Sequence, residues 1–284
     1  MSVVAKDRVT LSGVGLETRW IGPAPDQAPT IVMLHDELGC VRLWGDFPSA
    51  LAGATGCGVS LYSRAGYGAS DPIPVPRPLT YLHHEALEIL PELLDLIGFR
   101  RGILLGHGDG AAIATIYAGG VEDHRVRGLV LFAPRFFVED SSVASIERAA
   151  EAYRTGTLRE RLARYHGTNV DSAFHGWSSA WLDPAFRSWD IREHLAYVRV
   201  PILIVRGDRD EFGTEAQLRA ADEEAYCPVE VTRLGRSGHA PHQDQPKETI
   251  GAVAGFVRRL MEDHEEARSR VTASGSGREE RDGP

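Results

Sequence analysis

From about residue 30 to residue 260, short apolar runs alternate with longer stretches whose apolar positions recur at helical spacing. The short runs are rich in Val, Ile and Leu and are closed by Gly, Pro or polar turns. They predict strands at Ile31–Leu34, Gly58–Tyr62, Gly102–Leu105, Gly128–Ala133, Ile202–Val205 and Val229–Leu234. Helical patterns fall at Trp44–Ala54, Tyr81–Ile97, Ala111–Gly119, Glu215–Tyr226 and Lys247–Met261. Pro91 should kink or split the second of these, because it lacks an N–H and its ring clashes with the preceding turn. The opening VTLSGVGLETRWIG reads as a two-strand hairpin at a sheet edge. Such alternation predicts an α/β fold, a mostly parallel central sheet with helices on both faces.

Two regions break the rhythm. Residues 138–194 hold a mostly helical segment dense in aromatics: Tyr153, Tyr165, Phe174, Trp177, Trp181, Phe186 and Trp189. Trp177 and Trp181 are one helical turn apart and share a face. The aromatics are expected to pack an inserted subdomain onto the main domain, and Trp177 and Trp181 are candidates for a pocket roof. The core is therefore expected at 1–137 and 195–262, with a helical cap at 138–194. After Met261 the chain turns polar, and 263–284 is expected to be a disordered tail.

Composition narrows the class. With 284 residues, 43% hydrophobic and 25% charged, the chain can bury a sizeable core. A net charge of −9 argues against a nucleic-acid partner, which would need a basic face. No segment reads as a signal peptide or as a membrane span. Cys40, Cys57 and Cys227 are odd in number and unpaired in pattern, which suits reduced thiols and a cytoplasmic protein.

Three places carry candidate chemistry. GILLGHGDGAA at 102–112 is a strand handing over sharply to a helix through Gly106-His107-Gly108-Asp109-Gly110. VPILIVRGDRDEFG ends a late strand with Asp208 and Asp210, and RLGRSGHAPHQDQP presents His239 before the last helix. An acid at a strand end can orient a histidine, and a histidine so held can move protons.

The order turn, acid, histidine resembles that of α/β-hydrolase-fold proteins with a helical cap, of the serine hydrolase and esterase type. Supporting motifs are HDELG at 35–39, where the family has its oxyanion loop, and YSRAGYGASDP at 62–72, similar to the family's D-x-R-G-x-G-x-S-x-P. GHAPHQDQP is similar to the segment around the family's catalytic histidine. The resemblance covers about residues 8 to 260. It implies His239 as catalytic histidine, Asp210 as orienting acid with Asp208 as second choice, and the backbone N–H groups of Glu37 and Asp109 as oxyanion donors. His107, before the nucleophile position, either touches substrate or packs behind the turn.

Two departures stand out. HDELG lacks the glycine usual after its histidine, and the nucleophile position holds Gly108 in place of serine. Glycine cannot form an acyl-enzyme. The first reading is a hydrolase of carboxylic esters, thioesters or lactones with its nucleophile removed, by engineering or by nature. The second is a non-covalent enzyme in which His239, held by Asp210, acts as general base in hydrolysis, lyase or isomerase chemistry. The third is a binding protein without turnover. The expected partner is a small molecule with an apolar portion; no cofactor, metal, nucleic acid or membrane is expected.

Overall fold

The computed structural model describes residues 6–260 in full and the backbone of a helix on to residue 275. One eight-stranded sheet forms the centre. Its strands are β1 (Arg8–Leu11), β2 (Val14–Ile21), β3 (Thr30–Leu34), β4 (Gly58–Tyr62), β5 (Gly102–His107), β6 (Val126–Phe132), β7 (Ile202–Gly207) and β8 (Val229–Leu234), in spatial order β1-β2-β4-β3-β5-β6-β7-β8. The hairpin β1–β2 joins β4 antiparallel, and the six strands from β4 to β8 run parallel.

The period-two alternation of the strands divides the core. Ile31, Met33, Leu105 and Val205 face one side with Phe256 and Val257; Val32, Leu34, Leu104 and Ile204 face the other with Ile113 and Leu93. Helices cover both faces. The chain's helices are α1 (Phe47–Thr55), α2 (Tyr81–His84), α3 (Leu90–Leu96), α4 (Asp109–Gly120), α5 (Asp140–Thr155), α6 (Leu158–His166), α7 (Val170–Trp181), α8 (Arg192–Tyr197), α9 (Glu215–Glu224), α10 (Pro241–Asp244) and α11 (Pro246–Gly275), of which α5, α6 and α7 pack on one another. Sealed on both faces, the inner parallel strands carry largely apolar runs, whereas the edge strand β8, VEVTRL, is half exposed.

The stretch Tyr81–Ile97 is divided: α2 gives way to a π-helical turn at Glu85–Ile89, and Pro91 stands in the first turn of α3. Two details differ from the sequence reading. The helix expected from Trp44 starts at Phe47, after a 3-10 turn Val41–Trp44 that ends at Gly45 with φ +57°. The tail expected to be disordered from residue 263 is helical to Gly275 within α11. Its Glu, Ala and Arg residues are strong helix formers, and neither Pro nor Gly interrupts them before Gly275. The remainder of that tail, 276–284, lies outside the described residues.

Between β6 and β7 the chain makes α5 to α8. The last of these, α8, returns to pack on α4 and α9 of the core. In parallel sheets the carboxyl ends of the strands collect the loops that bind ligands. Here those loops carry His35–Glu37 after β3, Arg64 after β4, Gly108 after β5, Arg135 after β6, Asp210 after β7 and His239 after β8.

Candidate active site

The turn after β5 is built on glycines for steric reasons. A Cβ on Gly106 would run into the backbone of Gly110. Gly108 caps α4 with φ +50°, a region where side chains are strained. The space in which its side chain would project is already filled. A Cβ there would overlap Asp36 Oδ1 and lie 2.8 Å from Asp36 Cγ and 2.6 Å from Glu37 Oε2.

His239 sits between two carboxylates. Its Nδ1 is 2.8 Å from Asp210 Oδ1, and its Nε2 is 3.5 Å from Asp36 Oδ2. Asp210 also accepts from the backbone N–H of Phe212 at 3.0 Å, which fixes the carboxylate. Asp208, the second choice, accepts instead from the backbone N–H of Arg236 and does not reach the histidine. The Phe212 ring packs against the imidazole at 4.8 Å between centroids.

Electrostatics separate the titrating groups. Burial disfavours the charged imidazole, yet Asp36 and Asp210 outweigh it and push His239 well above the usual histidine range. Burial would raise Asp36, but the imidazoles of His107 and His239 hold it well below the usual carboxylate range. For the adjacent Glu37, burial prevails over the pull of Arg135 and, helped by Asp36, pushes the carboxyl well up. The two carboxyls of this loop are thus pushed in opposite directions, Asp36 down and Glu37 up, while Asp36 and Asp210 favour the charged form of His239.

Below the loop a sealed polar cluster fills the centre. Arg135, 1% exposed, reaches Glu37 Oε2 at 2.5 Å and Asp109 Oδ1 at 3.3 Å. Its guanidinium lies 4.2 Å from the centre of the Trp181 ring. Tyr81 donates to Asp109 Oδ2 at 2.5 Å and receives the indole N–H of Trp181 at 3.0 Å. Arg64 donates to the backbone carbonyls of His35, at 2.5 Å, and Asp36, at 3.0 Å, clamping the loop that carries Asp36. The Asp109 carboxylate is therefore consumed by this cluster, while its backbone N–H opens α4.

The cavity that touches His239 has a volume of about 220 Å³ and is lined by Asp36, Leu38, Leu43, Trp44, Leu162 and His242, among others. Larger hollows elsewhere have no contact with the histidine. His107 borders the cavity, with Nε2 2.8 Å from the carbonyl oxygen of His239. Its N–H thereby supports the histidine loop. Trp177 and Trp181 are both buried and do not line this cavity: the first packs on Phe174 and Phe212, the second on Arg135. Asp36, His107 and His239 each bring a ligand-type atom within 4.8 Å of the others, a spacing a cation could also use. The bond from His107 to the His239 carbonyl leaves two free donors, fewer than closed metal sites employ.

Sequence reasoning brought Gly108, Asp210, His239, His107 and the Glu37–Asp109 loops to one place. It missed the side chains of Asp36 and Arg135. The only signal for Arg135 was a lone charge inside the apolar run LFAPRFF.

A model of the alpha/beta hydrolase family matches residues 31–252, and the chain belongs to that family. It is similar in structure to proline iminopeptidase from Mycobacterium smegmatis, with a TM-score of 0.70 and 17% identity over 89% of this chain and 97% of that one. A crystal structure from a study of carboxylesterases of the thaumarchaeon Nitrososphaera gargenis superposes with a TM-score of 0.73 at 17% identity, over 90% of this chain and 99% of that one. The esterase RhEst1 from Rhodococcus sp. ECU1013 gives 0.68 at 18%, over 92% and 100%. At these identities the likeness speaks for the fold. No curated protein sequence matches the chain. Among the described residues no helix is long and apolar enough to cross a membrane.

Proposed function

We propose that this protein hydrolyses small carboxylic esters, thioesters or lactones by acid–base chemistry, without an acyl-enzyme. One observation carries the reading: the serine's place is both empty of a nucleophile and filled by Asp36, while the pair His239–Asp210 stands intact at 2.8 Å. A serine hydrolase that had merely lost its hydroxyl would keep the room for it. Water is the nucleophile, and His239 exchanges protons with water and leaving group, oriented through Nδ1 by Asp210. The backbone N–H groups of Glu37 and Asp109, the latter opening the twelve-residue α4, suit an oxyanion. Leu38, Leu43, Trp44 and Leu162 suit a short apolar portion of the substrate, and a cavity of about 220 Å³ favours a small one. Turnover accounts for the site better than passive binding does. His239 Nε2 and Asp36 Oδ1 are buried without hydrogen-bond partners among the described residues, and both belong to side chains that line the cavity.

The test is steady-state hydrolysis of a panel of short-chain p-nitrophenyl esters. His239→Ala is expected to lower kcat by roughly 100-fold or more, the usual worth of a positioned acid–base group. Equal rates in the two proteins would remove His239 from the reaction and with it this reading.

A further inference from the structure

The proton chemistry above leaves one carboxylate without an assigned part. Asp36 is not a structural counter-ion in the ordinary sense. Such carboxylates are tied by guanidinium, hydroxyl or backbone donors, as Asp210 is by the Phe212 amide, Glu37 by Arg135, and Asp109 by Arg135 and Tyr81. Asp36 Oδ1 is buried with no hydrogen-bond partner of good geometry among the described residues; the Glu37 carboxyl lies beside it, and Oδ2 faces the imidazoles of His239 at 3.5 Å and His107 at 3.9 Å. Its backbone, by contrast, is held firmly. The Asp36 carbonyl accepts from Arg64 at 3.0 Å and lies 2.7 Å from His35 Nδ1. A rigid stem thus presents a carboxylate with no cationic guanidinium or backbone amide on it to the cavity, over Gly108, within reach of the one histidine that Asp210 orients. Neighbouring Glu37 is less suited to the same task, because Arg135 holds its Oε2 at 2.5 Å and its Oε1 lies farther from His239 Nε2, at 3.9 Å.

We propose that Asp36 is a catalytic base standing in the serine's place, taking the proton of the attacking water while His239 supplies the proton of the leaving group. The inference rests on the hydrolytic reading above and refines its division of labour. In the forward step a water O–H bond breaks, its proton passes to Asp36, and the water oxygen bonds to the substrate carbonyl carbon. The carbonyl electron pair moves to oxygen, where the backbone N–H groups receive it. On collapse the bond to the leaving group breaks, and that group takes the proton from His239 Nε2. Transfer of the Asp36 proton to Nε2 then restores the starting state, with one water consumed. At 3.5 Å the carboxylate and imidazole need only a small approach to pass the proton directly.

A base beside an acid also predicts a reaction independent of ester turnover. With a small epoxide such as glycidol, Asp36 attacks a ring carbon, the ring C–O bond breaks, and the freed oxygen takes the His239 proton, leaving an ester on Asp36. Peptide mass mapping is expected to find one such ester per chain on the wild-type protein. Asp36→Asn, nearly isosteric, should lose it, and His239→Ala should slow it by about tenfold or more for want of the acid. Asp36→Asn should also lower kcat for the ester panel by roughly 100-fold with little change in KM. An unmodified Asp36 in the wild type, or full ester turnover by Asp36→Asn, would overturn the assignment, as would turnover that requires a divalent cation bound by Asp36, His107 and His239. Epoxide labelling of Asp36 in a protein inert on every ester would sink the hydrolytic reading and leave the reactive carboxylate standing.

Discussion

Replacing Arg135 by methionine is expected to destabilise the protein by about 3–5 kcal/mol at neutral pH, the cost typical of removing one partner from a buried charge pair. Methionine keeps most of the stem's volume and its contact with the Trp181 ring, so the loss is chiefly electrostatic. Arg135 serves both Glu37 and Asp109 in a region sealed from water, with the Asp109 side chain fully buried. Burial already pushes both carboxyls up against its pull. Without the guanidinium they rise further, since only Arg64, at 4.0 Å, and Tyr81 remain beside Asp109. The sign of the pH dependence follows. A carboxyl whose folded pKa is raised penalises the fold above that pKa, and the penalty fades as the pH falls through it toward the unfolded value, about 4. Urea unfolding of both proteins at pH 8 and pH 5 should therefore show a smaller deficit at pH 5. A deficit below about 1 kcal/mol, or one that grows on acidification, would mean the cluster does not depend on this ion pair.

The second large effect is a gain. Gly108→Ser alone should not make a serine hydrolase, because the new Cβ overlaps Asp36 Oδ1 and crowds Glu37 Oε2. Asp36→Gly/Gly108→Ser clears that space and leaves His239 and Asp210 to activate the hydroxyl. The double variant is expected to react with a fluorophosphonate and to gain ester hydrolysis by several orders of magnitude, given that a serine nucleophile contributes roughly 10⁶ in one protease. The single variant should remain unlabelled. Equal labelling of both would show that Asp36 moves aside without cost, and the exchange between the two positions would lose its meaning.

That exchange explains what the sequence could and could not convey. Gly108 and Asp36 each read as a departure from the family pattern, and each was legible alone. Their complementarity was not, since they lie on loops after different strands and meet only when β3 and β5 pair. The parallel sheet was legible because its inner strands are sealed on both faces and run largely apolar. Strand ends and the order Gly108, Asp210, His239 followed from that frame, since ligand sites gather at the carboxyl ends. The part played by Trp181 was hidden for the opposite reason. Its helical position marked it as buried, but only the fold sets Arg135 beneath its ring and Tyr81 at its indole N–H. The helix beyond residue 262 escaped a reading by hydrophobicity because its residues favour helix by backbone propensity and not by an apolar face.

Rapid mixing of the wild-type protein with a p-nitrophenyl ester, followed by acid quench and intact-mass measurement, tests the central claim directly. Release of p-nitrophenol should be linear from the first turnover, and the quenched chain should keep its unmodified mass. A burst of one equivalent with the acyl group carried on the chain would contradict an account in which water, and no side chain, attacks the substrate.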